Sequence, residues 1–264
     1  MKRVMQKLDK YVETEYHEIM FYDRFTEDQI CGVFTPTHFI AIAVYFALMV
    51  VAIVCSRKLS ERQTTRIIFW IAVTVTVMEI VKIAIRLYRK EGGDAWIPLY
   101  FSSLFLYAVW LSLAKNKILQ TTGRTFLAFG CTVAGALFAL YPSTSLTFYP
   151  IWHPASLHSL LYHWLMLYVG IMTLIKLYRP RAWHFALYFG FVALFSAAAA
   201  TVNGFLNTNL MFLSNPFGLS FLQALVAFSP VLYALVAFFA QGVVLFWVVF
   251  GIMILIYKRR KTNA

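Results

Sequence analysis

The chain of 264 residues is 61% hydrophobic and 13% charged, with a net charge of +12. A soluble domain carries roughly a quarter charged residues and about half apolar ones, so a water-soluble globular fold is excluded. The positive charge does not point to nucleic acid, because its Lys and Arg residues gather between apolar runs, where they act as topology signals beside anionic headgroups.

Residues 1–35 hold five Lys/Arg against seven Asp/Glu, with apolar side chains at Val4, Leu8, Tyr11, Val12, Ile19 and Met20. That spacing predicts an amphipathic helix on the membrane surface, acting as a cap on the bundle or as a substrate gate. No apolar core of signal-peptide length precedes Cys31. Seven apolar runs follow, at Pro36–Cys55, Ile67–Leu87, Ile97–Ala114, Thr125–Tyr141, Leu157–Leu177, Trp183–Val202 and Val231–Tyr257. Runs of about 20 apolar residues span the ~30 Å hydrocarbon core, and lipid offers no partner to an unpaired backbone group. The expected fold is therefore all-α, a polytopic membrane bundle of seven transmembrane helices. The stretch Leu219–Phe228 is cut off from the last span by Pro230 and is expected to form a short re-entrant or interfacial helix.

The cations check that count. Arg57, Lys58, Arg62 and Arg66 lie in the first loop, Lys115, Lys117 and Arg124 in the third, and Lys176, Arg179 and Arg181 around the fifth. The tail is Lys258-Arg259-Arg260-Lys261, and with seven spans all fourteen cations share one side, while loops four and six hold none. The N-terminus is then outside and the C-terminus cytoplasmic. The domain plan is an N-terminal extension over residues 1–35, a transmembrane domain over 36–257 and a basic tail over 258–264. Cys31, Cys55 and Cys131 form no CxxC pair and no metal-ligand spacing, so neither a disulfide framework nor a metal site is indicated. No internal repeat or pair of transporter-type halves is visible.

The polar residues inside the spans collect toward the outer face. Glu79, Lys82 and Arg86 form one helical stripe in span two, and such charges must face protein or a wet cavity. They make either an internal ion pair or a site in which Glu79 orients a histidine while Lys82 and Arg86 attract a headgroup phosphate. Span three enters as Ile97-Pro98-Leu99-Tyr100-Phe101-Ser102-Ser103, with Pro98 suited to a first helical turn. Serines at such depth commonly bond back to a carbonyl or permit close packing. Span five begins at Trp152-His153-Pro154 and carries His158 near the interface and His163 nearly two turns in. A histidine at that depth is a structural hydrogen-bonder or, with Ser102 and Glu79 level with it, a base. Glu91 and Asp94 lie in a solvated loop and give no third ligand for a two-histidine metal site. Asn203, Asn207 and Asn209 end span six, as turn formers or as donors to an ester carbonyl, and His38 in span one completes the ring.

Ile97-Pro98-Leu99-Tyr100-Phe101-Ser102, Gly135-Ala136-Leu137 with Pro142, the ten-residue spacing of His153 and His163, and the Asn203/Asn207/Asn209 cluster together resemble the YwaF family of bacterial multi-spanning membrane proteins. The resemblance covers about residues 34–240. Animal relatives of that family are lipid acyltransferases with a cysteine nucleophile in span three and a histidine elsewhere. Carried over by position, the family's Leu-Pro-Leu-His-Leu-Cys motif sets its cysteine on Ser102 and its histidine on Tyr100, and the two later family histidines fall on His153 and His163. A serine, unlike a thiol, needs an adjacent base, so Ser102 marks either a serine variant of the mechanism or a member without covalent catalysis.

The leading expectation is thus an acyl-transfer enzyme, an acyltransferase or lipid hydrolase, acting on phospholipids in an outward-facing pocket. Its expected catalytic residues are Ser102, His163 and Glu79. Substrate contacts are expected from His38, Lys82, Arg86, Tyr100, His153, Asn203 and Asn207. The alternative is a non-catalytic lipid- or small-molecule-binding protein using the same cavity. A carrier would need polar residues continuing inward, and only Gln241 lies on that path. Membrane lipids are the expected partners, nucleic acid is not, no cofactor is implied, and the oligomeric state is left open.

Overall fold

The computed structural model describes residues 25–26, 28–90, 96–142, 144–216 and 222–262, with side chains to residue 255. The amphipathic helix expected in the N-terminal extension and the basic tail's side chains lie outside these residues. Among them there are eight helices: α1 (Pro36–Ser56), α2 (Glu61–Tyr88), α3 (Leu104–Leu111), α4 (Lys117–Leu140), α5 (Pro154–Leu177), α6 (His184–Leu206), α7 (Gln223–Phe228) and α8 (Pro230–Leu255, continuing helical to residue 262). Six of them, all but α3 and α7, are long and apolar enough to cross a membrane.

Three helices start from the same local chemistry. Thr35-Pro36, His153-Pro154 and Ser229-Pro230 each set a capping side chain before a proline at the first helical position. The cap accepts an otherwise orphaned backbone N–H, and proline has no N–H to orphan. At the other end of the bundle, Ser60 and Gln63 form a capping box for α2, and Asn116 caps α4. Helices α2 and α4 both begin well before their apolar stretches, at Glu61 and Lys117, because these caps act outside the hydrocarbon pattern.

The third predicted span takes a different form. Only the eight residues of α3 are helical; Tyr100–Ser103 form turns, with Phe105 N–H donating to the Ser102 carbonyl at 3.1 Å. Leu104, Phe105, Ala108 and Val109 are completely buried, so neighbouring helices shield this segment. Irregular backbone at membrane depth is tolerated where protein covers it.

Helix α4 is the hub. Phe126 to Cys131 are buried without exception, and within this stretch the helix widens into a π-turn at Leu127–Cys131. Gly135 lets α4 and α5 touch, since a Cβ there would collide with Leu167 and the His163 carbonyl. Helix α1 is tied to this pair by Tyr45, whose hydroxyl donates to the Gly135 carbonyl, and by Trp164 Nε1, which donates to the Tyr45 carbonyl at 3.2 Å. At the far end, Lys176 Nζ donates to the Arg57 carbonyl at 2.7 Å and Arg124 Nη1 to that of Leu177 at 3.1 Å. Lys176 thereby ties the end of α5 to the end of α1, and Arg124 ties α4 to the end of α5.

Between α6 and α8 the chain folds back into the bundle. Leu210 and Met211 are fully buried there, and Gln241, in the π-turn Ala240–Val244 of α8, donates to the Met211 carbonyl at 3.0 Å. Met211 and Phe212 adopt positive φ, 57° and 54°. The apolar run in this inward loop is just Leu210–Leu213, too short to read as a segment entering the membrane, whereas in the predicted re-entrant or interfacial stretch the described residues form the short helix α7, whose Phe228 is exposed.

Candidate functional site

The centre of the candidate site is the stripe on α2. Glu79 is 3% exposed, and its Oε1 lies 2.6 Å from Lys82 Nζ, one turn farther along. The carboxylate exerts its field on Tyr107 of α3 and on His158 and Tyr162 of α5. His158 also feels Lys82 and Arg86, and its ring lies against the Met78 carbonyl with Nε2 buried and lacking a well-formed hydrogen bond. Three helices thus converge on one buried ion pair. Tyr107, His158 and Tyr162 are the members that sequence patterning missed. The signal was present in His158 and Tyr162, four residues apart and therefore on one face of α5.

Tyr162 connects this cluster to Ser102. Its hydroxyl points at the Ser102 carbonyl from 3.5 Å, a long contact, and its ring stacks over His158 with centroids 6.0 Å apart. Ser102 itself is half-buried at the last irregular turn before α3. Among the described residues no hydrogen bond joins its hydroxyl to His163.

His163 sits next to Tyr162 but on the adjacent face of α5, stacked flat on Phe138 of α4 at 3.7 Å. Its Nδ1 lies 2.8 Å from the Ser159 carbonyl. Only an Nδ1–H can donate there, which leaves Nε2 with its lone pair in the neutral ring. The imidazole is therefore oriented by a backbone carbonyl one turn back, while Glu79 is engaged with Lys82. Lys82 and His158 both lie within electrostatic reach of His163.

The remaining candidates divide by role. His153 is 4% exposed and caps α5 through Nδ1, which accepts from Ala155 N–H at 3.2 Å; its Nε2 is buried without a partner. Burial, then the charges of Arg89 and Arg86, hold its pKa below the ordinary imidazole value. His38 is 1% exposed and satisfied at both nitrogens: Phe34 N–H donates to Nδ1 at 3.0 Å, and Nε2 lies 3.1 Å from the Ala139 carbonyl. It joins α1 to α4, away from the ion pair.

Asn203 accepts at Oδ1 from Thr208 Oγ1 and Leu210 N–H, both at 2.8 Å, and donates from Nδ2 to the Leu210 carbonyl. Asn207 takes the left-handed conformation that ends α6, and Asn209 holds Ser214 and Asn215. These asparagines shape the inward loop. Tyr100 meets that loop through Phe212, ring centroids 5.6 Å apart. No three His, Cys, Asp or Glu side chains gather in metal-binding fashion among the described residues.

Six helices suited to spanning lipid and a charged cluster buried between helices define a multi-pass membrane protein of the α-helical class. The chain belongs to the TMEM164 family, whose model matches residues 33–257. No curated protein and no solved structure gives a significant match. The YwaF resemblance rests on the short motifs named above.

Proposed function

We propose that this protein is an integral-membrane acyl-transfer enzyme that draws its substrate from membrane phospholipids. The observation that carries the reading is the convergence of α2, α3 and α5 on the Glu79–Lys82 pair beside the non-helical turn that bears Ser102. A buried ion pair with an unsatisfied histidine nitrogen is costly to keep inside a membrane, which argues for a working site. Lys82 and Arg86 supply positive charge for a headgroup phosphate. Ser102 Oγ attacks the ester carbonyl carbon, its proton passing to His163 Nε2. The bond from that carbon to the glycerol oxygen breaks, and His163 returns the proton to the departing lysolipid hydroxyl. A second lipid hydroxyl, or water, then takes the acyl group by the reverse sequence. The lipid chemistry of the resembled family favours transfer over hydrolysis.

The reading includes a seventh crossing by residues 97–114, with the N-terminus outside and the C-terminus cytoplasmic. In support, Tyr107 lies near Glu79 while Trp110 Nε1 donates to Thr76 Oγ1 at 2.9 Å, so this segment runs antiparallel to α2. The cation distribution gives the sidedness.

The test is mass spectrometry of lipids incubated with purified protein, comparing wild type with Ser102→Ala and His163→Ala. Acyl-exchanged or deacylated species that vanish in both variants support the enzyme. Full turnover by Ser102→Ala sinks it. A second reading, a non-catalytic lipid-binding protein, is favoured by one observation: the Ser102 hydroxyl has no hydrogen-bonded base among the described residues. It predicts saturable lipid binding with the lipid's mass unchanged.

A further inference from the structure

An apolar groove of about 910 Å³ runs down the flank of the bundle, between Leu106, Trp110 and Ala114 on one wall and Leu187, Phe191 and Leu194 of α6 on the other. Every polar side chain on its surface is already engaged. Trp110 Nε1 donates to Thr76 Oγ1, whose own hydroxyl donates to the Ala72 carbonyl at 2.7 Å. Thr122 donates to the Ile118 carbonyl at 2.9 Å and Tyr107 to that of Pro98 at 3.2 Å. Nothing remains to bind water or a polar ligand, so the surface suits hydrocarbon.

Its length and position point to one occupant. The α6 wall from Ala186 to Phe195 extends roughly 14 Å at about 1.5 Å per residue. That is close to half of the ~30 Å hydrocarbon core, the depth of one leaflet. Ser102 lies four residues before Leu106, at the end of the groove that Leu106 and Tyr107 line. Tyr107 lines this end of the groove, within electrostatic reach of Glu79, with its hydroxyl on the Pro98 carbonyl and its ring packed on Phe195 at 4.7 Å between centroids.

We infer that this groove holds the acyl chain of the phospholipid whose ester is presented at Ser102, with Tyr107 and Phe195 at its entrance and Gly190 setting its depth. The inference rests on the acyl-transfer reading and adds the chain-binding subsite to it. Gly190 lines the groove, and a Cβ built there meets no atom within 4 Å. A larger side chain at this position projects into the groove without a clash.

The experiment uses full-length protein in phosphatidylcholine vesicles containing a trace of phosphatidylcholine with a diazirine near the end of one acyl chain. After irradiation, labelled peptides are mapped by mass spectrometry. Label is expected on α3 and α6, to be competed by excess unlabelled lipid, and to fall roughly tenfold in Gly190→Phe, the scale for occluding an apolar pocket. Gly190→Ala, too small to fill the groove, labels as wild type. Equal labelling of a folded Gly190→Phe protein, or label spread over the outer faces of α1 and α8, overturns the inference. Should Gly190→Phe fail to fold, Gly190→Leu and the competition arm decide, and labelling that excess lipid does not reduce overturns it. Ser102→Ala separates the two readings. Localised label with turnover retained in that variant removes the catalytic reading and keeps the groove; diffuse label with turnover lost does the reverse.

Discussion

Glu79 and Lys82 share one turn of α2 with 2.6 Å between their charged atoms, yet the carboxylate is sealed in while the lysine keeps a quarter of its side chain exposed. The two partners are therefore not equivalent. Removing the lysine strands a buried anion, whereas removing the anion leaves a cation that can reach toward the surface. Lys82→Met is expected to cost about 3 kcal/mol of stability and Glu79→Gln about 1 kcal/mol, between the values for surface and buried pairs. The double variant should unfold at a higher temperature than Lys82→Met. Thermal unfolding in detergent measures all three.

The two deep histidines make separable contributions. His163 keeps a lone pair at Nε2 and is assigned the base, so His163→Gln should lower turnover by about two orders of magnitude or more with little change in apparent lipid affinity. His158 faces the ion pair instead. His158→Gln should weaken apparent affinity and leave turnover nearly intact. Steady-state kinetics against lipid mole fraction tells them apart.

Asn203 replaces backbone partners for the inward loop, making three hydrogen bonds to Thr208 and Leu210. Asn203→Ala strands the buried N–H of Leu210 and leaves its carbonyl only the 3.4 Å bond from Leu213 N–H, at a cost of about 2 kcal/mol. Cleavage within residues 207–216 by a protease in limiting amount should become measurably faster than in wild type.

His153 gives the bundle a dependence on pH with a definite sign. Its folded pKa lies below the unfolded one, because burial and then Arg89 and Arg86 disfavour the cation. The unfolded chain therefore binds more protons as pH falls through the ordinary imidazole value near ~6.5. Stability is fully present above that value and declines below it, since protonating Nδ1 also removes the cap on Ala155. His153→Asn keeps a capping oxygen and has no proton to gain. Its unfolding temperature should change less between pH 7.5 and pH 5.5 than that of wild type.

What the sequence made legible was whatever the bilayer dictates directly. Six of the seven apolar runs correspond to long helices, because twenty apolar residues in lipid have few alternatives. The run at 97–114 has the same composition but not the same form. Pro98 and the turns through Ser103 interrupt it, and there the carbonyls of Pro98, Tyr100, Phe101 and Ser102 are met by the Tyr107 hydroxyl and by the N–H groups of Leu104 and Phe105. At the site, the stripe of Glu79, Lys82 and Arg86 followed from helical spacing alone. Facing across helices did not. Whether His158 or His163 looks toward Glu79 depends on how α5 is rotated, since the two lie about 140° apart around it, and no periodicity in its mixed apolar surface fixes that rotation. The asparagines read equally as turn formers or ligand donors because loop geometry is invisible in composition; in the fold the side chains of Asn203 and Asn209 are spent on Leu210, Ser214 and Asn215.

The brevity of α3 bears on how the protein is made. An eight-residue helix led in by turns carries exposed amide dipoles that an isolated segment cannot hide from lipid. Such a segment has no favourable place in the bilayer until α2 and α4 stand on either side of it. The nascent chain should therefore retain this stretch at the translocation channel until Lys117–Leu140 has emerged, and release the three together as one hairpin-like unit.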